Sequence, residues 1–250
     1  MASKLSSKLF AVVAGAGPGT GRACAIRFSK AYPVVLLTRT AESYNDTVAE
    51  INKAGGKAIG ISADTSDVKS LDSAFDTIAK EFPGFKLAAA IYNVGAGFQR
   101  KPFLELSVED FDVAVGGNAR GLFNFAQKTL PLLLEAVPES EHPPSLIITG
   151  ATASVRGSYL FSTMAASMFA RRALGQSLAR EFGPKGVHVA HAIVDGVIDI
   201  PRTSQYNVNN GAEDGKIKAD AIAESYWNLH TQHRSAFTQE IDIRPYVEKF

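Results

Sequence analysis

The chain has a single cysteine, Cys24, among its 250 residues. One thiol excludes an intramolecular disulfide framework and a cysteine-cluster zinc site. Cys24 falls in a helical stretch and reads as a small buried apolar residue, which points to a reducing compartment, the cytoplasm. An excess of one charge is also missing: 26 Lys and Arg stand against 25 Asp and Glu, for a net charge of +1. That balance supplies no long-range field for nucleic acid or an anionic membrane. No apolar run approaches the roughly 20 residues of a membrane span. The start imitates a secretory signal, with Lys4 and Lys8 ahead of the apolar run 9–14. The run is short and leads straight into a glycine loop, so it reads as a first buried strand. The Gly-x-Ser-x-Gly hydrolase elbow is absent, which leaves an acyl-transfer reading without a nucleophile. Neither a repeat nor a compositional break marks a second domain, and 46% hydrophobic residues at low net charge exclude disorder as the main state.

What is present is alternation. Apolar runs at 10–14, 34–38, 58–62, 87–92, 146–149 and 187–194 alternate with helical patterns at 20–31, 41–54, 66–82, 108–136 and 162–182. Runs that are apolar on both faces belong to buried parallel strands. The alternation predicts an α/β fold with one parallel sheet of about seven strands, helices on both faces and a last strand at 235–243. Gly55-Gly56 and Gly183-Pro184 read as helix stops. Ser107, ahead of Glu109 and Asp110, reads as an N-cap with acids in the first turn. Ser66 is a weaker cap. The stretch 201–218, rich in Asn, Gly and charge, reads as a mobile loop or lid.

The first strand ends in Ala14-Gly15-Ala16-Gly17-Pro18-Gly19-Thr20-Gly21 and a helix follows. A strand-to-helix turn that carries a pyrophosphate needs residues without Cβ, so that the backbone turns tightly and approaches the phosphate oxygens. The helix start supplies free N–H groups. This placement predicts dinucleotide binding. The second strand ends at Thr38-Arg39-Thr40, where a carboxylate would accept the ribose hydroxyls of NAD. The Arg39 guanidinium suits a 2′-phosphate instead, so NADP(H) is expected over NAD(H).

With these features in place, the chain resembles the short-chain dehydrogenase/reductase family over essentially its whole length. The resemblance implies a Rossmann-type doubly wound sheet in the order 3-2-1-4-5-6-7, with 1–250 as one NAD(P)-binding domain and 199–220 as its substrate lid. It implies that Asp64-Thr65 meets the adenine, that Asn93-Val94-Gly95 lines the adenosine ribose, and that Asn118 kinks the fourth helix and anchors a proton-relay water. Gly196 and Val197 match the turn that meets the nicotinamide carboxamide, with Asp195 where the family has proline. It also implies a homodimer or homotetramer through helices four and five, where Phe111, Val115, Leu122, Phe125, Phe169 and Leu174 supply apolar surface.

Family enzymes work with a Ser, a Tyr as general acid/base and a Lys one helical turn after it. Counting back from Ser177-Leu178-Ala179-Arg180-Glu181-Phe182-Gly183 puts the Tyr equivalent at Met164, the Lys equivalent at Met168 and the Ser equivalent at Ala151. A methionine neither donates a proton nor carries charge. Losing the acid forfeits roughly 10²–10⁴-fold in a proton-transfer step. Hydride delivery needs only reactants held in line, so a substrate that is already cationic, such as an iminium, can do without the tyrosine. The expectation is an NADP(H) oxidoreductase with a non-standard site, acting on a pre-activated or bulky apolar small molecule. The alternatives are an inactive coenzyme-binding relative, a cyclase or isomerase that uses the coenzyme to shape its pocket, or recruitment of another acid from Tyr159, Ser154, Ser162, Asp195 or Asp199.

The remaining constellations read as structural. His230 and His233 make a polar helix face rather than a metal pair. His188 and His191 lie three apart on a strand, so they face opposite ways and read as buried, hydrogen-bonded histidines. Arg171-Arg172 reads as a solvated or subunit-facing basic pair, with no bearing on nucleic acid.

Overall fold

Strand β1 (Leu9–Ala14) is buried along its whole length, and its side chains divide by parity. Leu9, Ala11 and Val13 enter one hydrophobic cluster, whereas Phe10, Val12 and Ala14 enter another. A two-residue period between two covered faces produces this split. The computed structural model describes residues 8–249; Lys4 of the signal-like start lies outside them. The chain continues through α1 (Thr20–Phe28), β2 (Val34–Thr38), α2 (Asn45–Lys53), β3 (Ala58–Ser62), α3 (Val68–Glu81), β4 (Lys86–Tyr92) and α4 (Val108–Val115). Next come α5 (Gly121–Ala136), β5 (Ser145–Ala151), α6 (Ser162–Phe182), β6 (His188–Val194), β7 (Ile198–Asp199), β8 (Ile217–Lys218), α7 (Ala219–His230) and β9 (Glu240–Ile243).

The sheet has seven parallel strands in the order β3-β2-β1-β4-β5-β6-β9. This is the expected order, with the seventh position taken by β9 because the short β7–β8 ribbon intervenes. Cys24 and Phe28 of α1, Ile51 of α2 and Ile222, Tyr226 and Leu229 of α7 fill one core. Leu71 and Ile78 of α3, Leu122, Phe125 and Leu133 of α5 and the flank of α6 fill the other. The strand order reverses between β1 and β4, so the carboxyl ends of these strands open a crevice there.

Several expectations need correction. The stretch read as one helix at 108–136 is two helices joined by one π-helical turn over Gly116–Arg120, at the place where the resemblance put a kink, Asn118. The helix read at 41–54 opens with a separate 3₁₀ turn, Ala41–Ser43. Asp67, not Ser66, caps α3 by accepting the Lys69 N–H at 2.9 Å; Ser66 is drawn off by Asp64, to which its hydroxyl donates at 2.7 Å. Ser107 closes a reciprocal box with Asp110, as its spacing indicated. α6 ends at Phe182, immediately before the expected stop at Gly183-Pro184, and the left-handed residue follows at Gly186. The last strand is shorter than its window. Leu122 and Phe125 are interior rather than surface, while Phe111 and Phe169 remain exposed. The 199–220 segment is folded on itself: Lys216 Nζ donates to the Thr203 carbonyl at 2.7 Å, and Asn209 Nδ2 to the Gly215 carbonyl at 2.8 Å. Among the described residues, no helix is long and apolar enough to cross a membrane.

His230 is not on a polar face. It is fully buried, with Nε2 2.9 Å from the Tyr32 hydroxyl and Nδ1 2.8 Å from Ser145 Oγ. Burial, reinforced by His142 and His188, pushes its pKa down to about 3. The unfolded chain therefore takes up this proton first as pH falls. The contribution to stability is complete above about pH 6.5 and declines toward pH 3, at up to about 1.4 kcal/mol per pH unit. Urea unfolding at pH 7, 5.5 and 4.5 should show a falling free energy. In His230→Phe the plateau should be lower, because Tyr32 and Ser145 lose their partner, and the acid slope shallower. An unchanged slope would exclude His230 as its source.

Candidate active site

The glycine turn is pinned from three sides. The Gly15 N–H donates to the Leu37 carbonyl at 2.8 Å, Asn93 Nδ2 donates to the Gly15 carbonyl at 3.0 Å, and the Asn93 N–H donates to the Ala14 carbonyl at 2.8 Å. At Gly15, φ is +80°, and a Cβ would stand 2.5 Å from the Asn93 carbonyl oxygen. At Gly21 a Cβ would stand 2.1 Å from the Gly15 carbonyl oxygen, so this glycine lets α1 pack against the turn. Gly17 differs: a Cβ there would meet nothing within 4 Å. α1 begins with no side-chain cap and no acid in its first turn, and the buried Thr20 hydroxyl has no partner. An uncapped helix start, an orphaned hydroxyl and open space over a glycine form a cradle that fits a phosphate.

A cleft of about 610 Å³ runs from this turn along the carboxyl ends of the strands. It gathers Gly15, Gly17, Arg39, Asp64, Thr65, Asn93 and Gly95. Thr40, Ser43 and Arg120 line it as well and were missed in the sequence. Thr40 and Ser43 were legible as the hydroxyls that follow Arg39, whereas Arg120 enters the cleft from the π turn. Burial pushes the Asp64 carboxyl up, but hydrogen bonds from the Ser66 hydroxyl and N–H and the charges of Arg39 and Arg120 outweigh it, leaving the group below its ordinary value. Gly19 lies outside this cleft and lines a neighbouring one with Ile200 of the 199–220 segment.

The expected reaction end is assembled behind the cleft. In the π turn the Tyr92 hydroxyl donates to the Gly117 carbonyl at 2.6 Å and Arg171 Nε to the Asn118 carbonyl at 3.0 Å. Both carbonyls thus find side-chain donors in the π turn. Asn118 Nδ2 donates to Ser167 Oγ at 2.9 Å, and Ser167 Oγ to the Met164 carbonyl at 3.0 Å. Asn118 is thereby connected to the backbone of Met164. Met168 is buried, and Met164 and Ala151 are half-buried. The Ala151 N–H donates to the buried Ser154 Oγ at 3.1 Å. Gly196, with Val197 after it, follows β6, where a Cβ would meet Pro245 at 2.8 Å.

The candidate replacement acids divide. Tyr159 is 84% exposed, so nothing orients it. Asp195 is buried, accepts from the Thr152 hydroxyl and pairs with Arg244 at 3.2 Å. Arg171 is the main correction. Expected as half of a surface pair, it is 2% exposed; only Arg172 behaves as part of a basic surface, pairing with Glu240 at 2.7 Å. Among the described residues, no group of three or more His, Cys, Asp or Glu side chains is arranged to hold a metal.

Comparison with known proteins fits this architecture. A family model described as short chain dehydrogenase matches residues 9–210. The chain belongs to the short-chain dehydrogenase family. It is 30% identical over 223 residues to a short-chain dehydrogenase/reductase of Armillaria gallica, covering 87% of this chain and 82% of that one. Among solved structures, a short-chain dehydrogenase from Rhodopseudomonas palustris is 31% identical, with a TM-score of 0.78 and coverage of 96% of this chain and 100% of that one. One from Burkholderia cenocepacia, solved in complex with NADP, is 25% identical, with a TM-score of 0.82 and coverage of 98% and 99%. The seven-stranded order is thus that of a short-chain dehydrogenase.

Proposed function

We propose that the chain is an NADP(H)-dependent oxidoreductase that works without a tyrosine acid. The observation that carries this reading is the continuity of the cleft, from Gly17 of the glycine turn just ahead of the uncapped α1 to Arg39 at the end of β2. The α1 N-terminus and the Thr20 hydroxyl would hold the pyrophosphate and Arg39 the 2′-phosphate. Asp64, Thr65, Asn93 and Gly95 would flank the adenosine. Bound there, the coenzyme would supply hydride. Asn118, Ala151, Met164, Gly196 and Val197 would bound the nicotinamide end, with Met164 and Met168 making it apolar. These residues can hold a substrate in line and exclude water, but neither methionine can give it a proton. The substrate class is therefore one already activated, an iminium-like cation, or a bulky apolar carbonyl. A homo-oligomer in the cytoplasm is part of the same proposal.

The test is coenzyme oxidation by purified protein with a panel of ketones, quinones and cyclic imines. Absorbance loss with the imines is expected to exceed that with simple ketones. No loss with any of them would favour a non-catalytic binding protein. Product formed without coenzyme consumption would favour a cyclase or isomerase.

Two glycines separate cradle from scaffold. Gly17→Ala should melt within a few degrees of the parent, since its Cβ enters open space, yet bind NADPH at least tenfold more weakly, because the methyl occupies room the phosphate needs. Gly21→Ala should lose stability by roughly 3 kcal/mol or more, because its Cβ meets backbone that cannot move aside. Melting curves and coenzyme titration on both variants check this.

A further inference from the structure

Arg171 is a buried cation for which the reading above has no use. Its guanidinium lies behind the cleft wall and is satisfied by carbonyl-type oxygens alone. Nε donates to the Asn118 carbonyl at 3.0 Å, Nη1 to the Thr149 carbonyl at 2.8 Å, and Nη2 to the Val94 carbonyl and to Asn118 Oδ1, each at 2.7 Å. The Tyr92 ring centroid is 5.0 Å from its central carbon. Among the described residues it forms no ion pair, so dipoles rather than an opposite charge hold it. Leaving a guanidinium this deep without a carboxylate is costly.

Its place on α6 is informative. Met164, Met168 and Arg171 stand at i, i+4 and i+7 and form one stripe. The charge that the family pattern would put at 168 is missing, and a charge is present one turn further along the same stripe. The fork reaches three segments near the expected nicotinamide end: Val94 after β4, Thr149 of β5 two residues before Ala151, and the π turn at Asn118. Asn118 also connects through Ser167 to the Met164 carbonyl.

We propose that Arg171 supplies the positive charge of this site in place of residue 168, and that its buried charge makes the site prefer the reduced coenzyme to the oxidised one. This rests on the coenzyme reading above. The oxidised nicotinamide ring carries a positive charge and the reduced ring carries none, so a fixed cation behind the site repels only the former. At a separation on the order of 10 Å and an effective dielectric of about 20, the repulsion is worth about tenfold in affinity. The same fork also holds Asn118 and the two strand exits in register, which would affect both coenzyme forms alike. Arg171 is thus a positioning residue whose charge has an effect separable from its clamp.

The experiment is titration of NADPH and NADP⁺, by fluorescence and calorimetry, into the parent chain, Arg171→Lys and Arg171→Gln, with a melting curve on each. The parent should bind NADPH about tenfold more tightly than NADP⁺. Arg171→Lys keeps the charge and loses the fork, so both affinities should fall while their ratio holds. Arg171→Gln keeps hydrogen bonding and loses the charge, so the ratio should collapse to within about threefold of unity. Preference for NADP⁺ in the parent overturns the proposal without any variant, which keeps it decidable if Arg171→Gln does not fold. Unchanged discrimination in Arg171→Gln overturns it while leaving the coenzyme reading intact. Failure of the parent to bind either form sinks both.

Discussion

Arg39→Asp is expected to weaken NADPH binding by about 10²–10³-fold while leaving NADH within roughly threefold of the parent, so that the preference between the two reverses. The substitution removes a charge-assisted bond worth about 1.5–3 kcal/mol. It also sets a carboxylate against a phosphate, adding on the order of 1 kcal/mol at an exposed site. NADH has no 2′-phosphate to lose, and the new carboxylate can accept from the ribose hydroxyls. Thr40, Ser43 and Arg120 remain in the cleft, so some residual NADPH affinity should persist. Arg39 is exposed, so the parent's preference should also shrink as salt rises from 50 to 500 mM. Fluorescence titration of both coenzymes at two salt concentrations checks each point. Tighter NADH than NADPH binding in the parent, or a preference indifferent to Arg39→Asp, would count against the assignment of Arg39 to the 2′-phosphate.

The features legible in the sequence are those set by local rules. Strands apolar on both faces, the glycine turn and the Ser107 cap all follow from side-chain period and backbone freedom, so their places came out directly. The features that were not legible depend on partners distant in the chain. The break at Gly116–Arg120 was expected only through the resemblance, which put a kink at Asn118; the donors to its carbonyls come from Tyr92 and Arg171, distant in the chain. Arg171 itself looked like a surface residue because a neighbouring arginine and a charge both argue for solvent. The contrary signal was its phase, three residues beyond Met168 on a stripe whose other members are apolar. His230 was misread in the same way. The residues that follow it, Thr231, Gln232 and His233, are polar, but α7 packs against α1, so the ring is held between Tyr32 and Ser145.

Restoring the family's tyrosine and its lysine should have opposite consequences. Met164→Tyr places a phenol at a half-buried position whose carbonyl is tied through Ser167 to Asn118. A positioned acid contributes roughly 10²–10⁴-fold to proton transfer, so NADPH-dependent reduction of simple ketones should rise at least about 10²-fold over the parent. With no ammonium one turn away at 168, and the Arg171 charge two turns away and held by carbonyl oxygens, the phenol should stay protonated, and the gain should persist from pH 6 to 9 rather than fade across that range. Met168→Lys should instead destabilise the chain. Met168 is 4% exposed, and the unpaired Arg171 guanidinium lies one turn further along the same stripe. A second cation there gains no carboxylate and meets a like charge, a cost of about 3–5 kcal/mol. The burden should be heaviest at neutral pH. Burial and Arg171 would lower the folded-state pKa of the introduced lysine below its unfolded value of about 10.4, so the penalty should shrink as pH rises toward that value. Urea unfolding at pH 7 and 9.5 reads this directly. Parent-like stability of Met168→Lys at pH 7 would mean that the two positive charges do not meet. Unchanged ketone reduction by Met164→Tyr with coenzyme bound would remove residue 164 from the reacting centre.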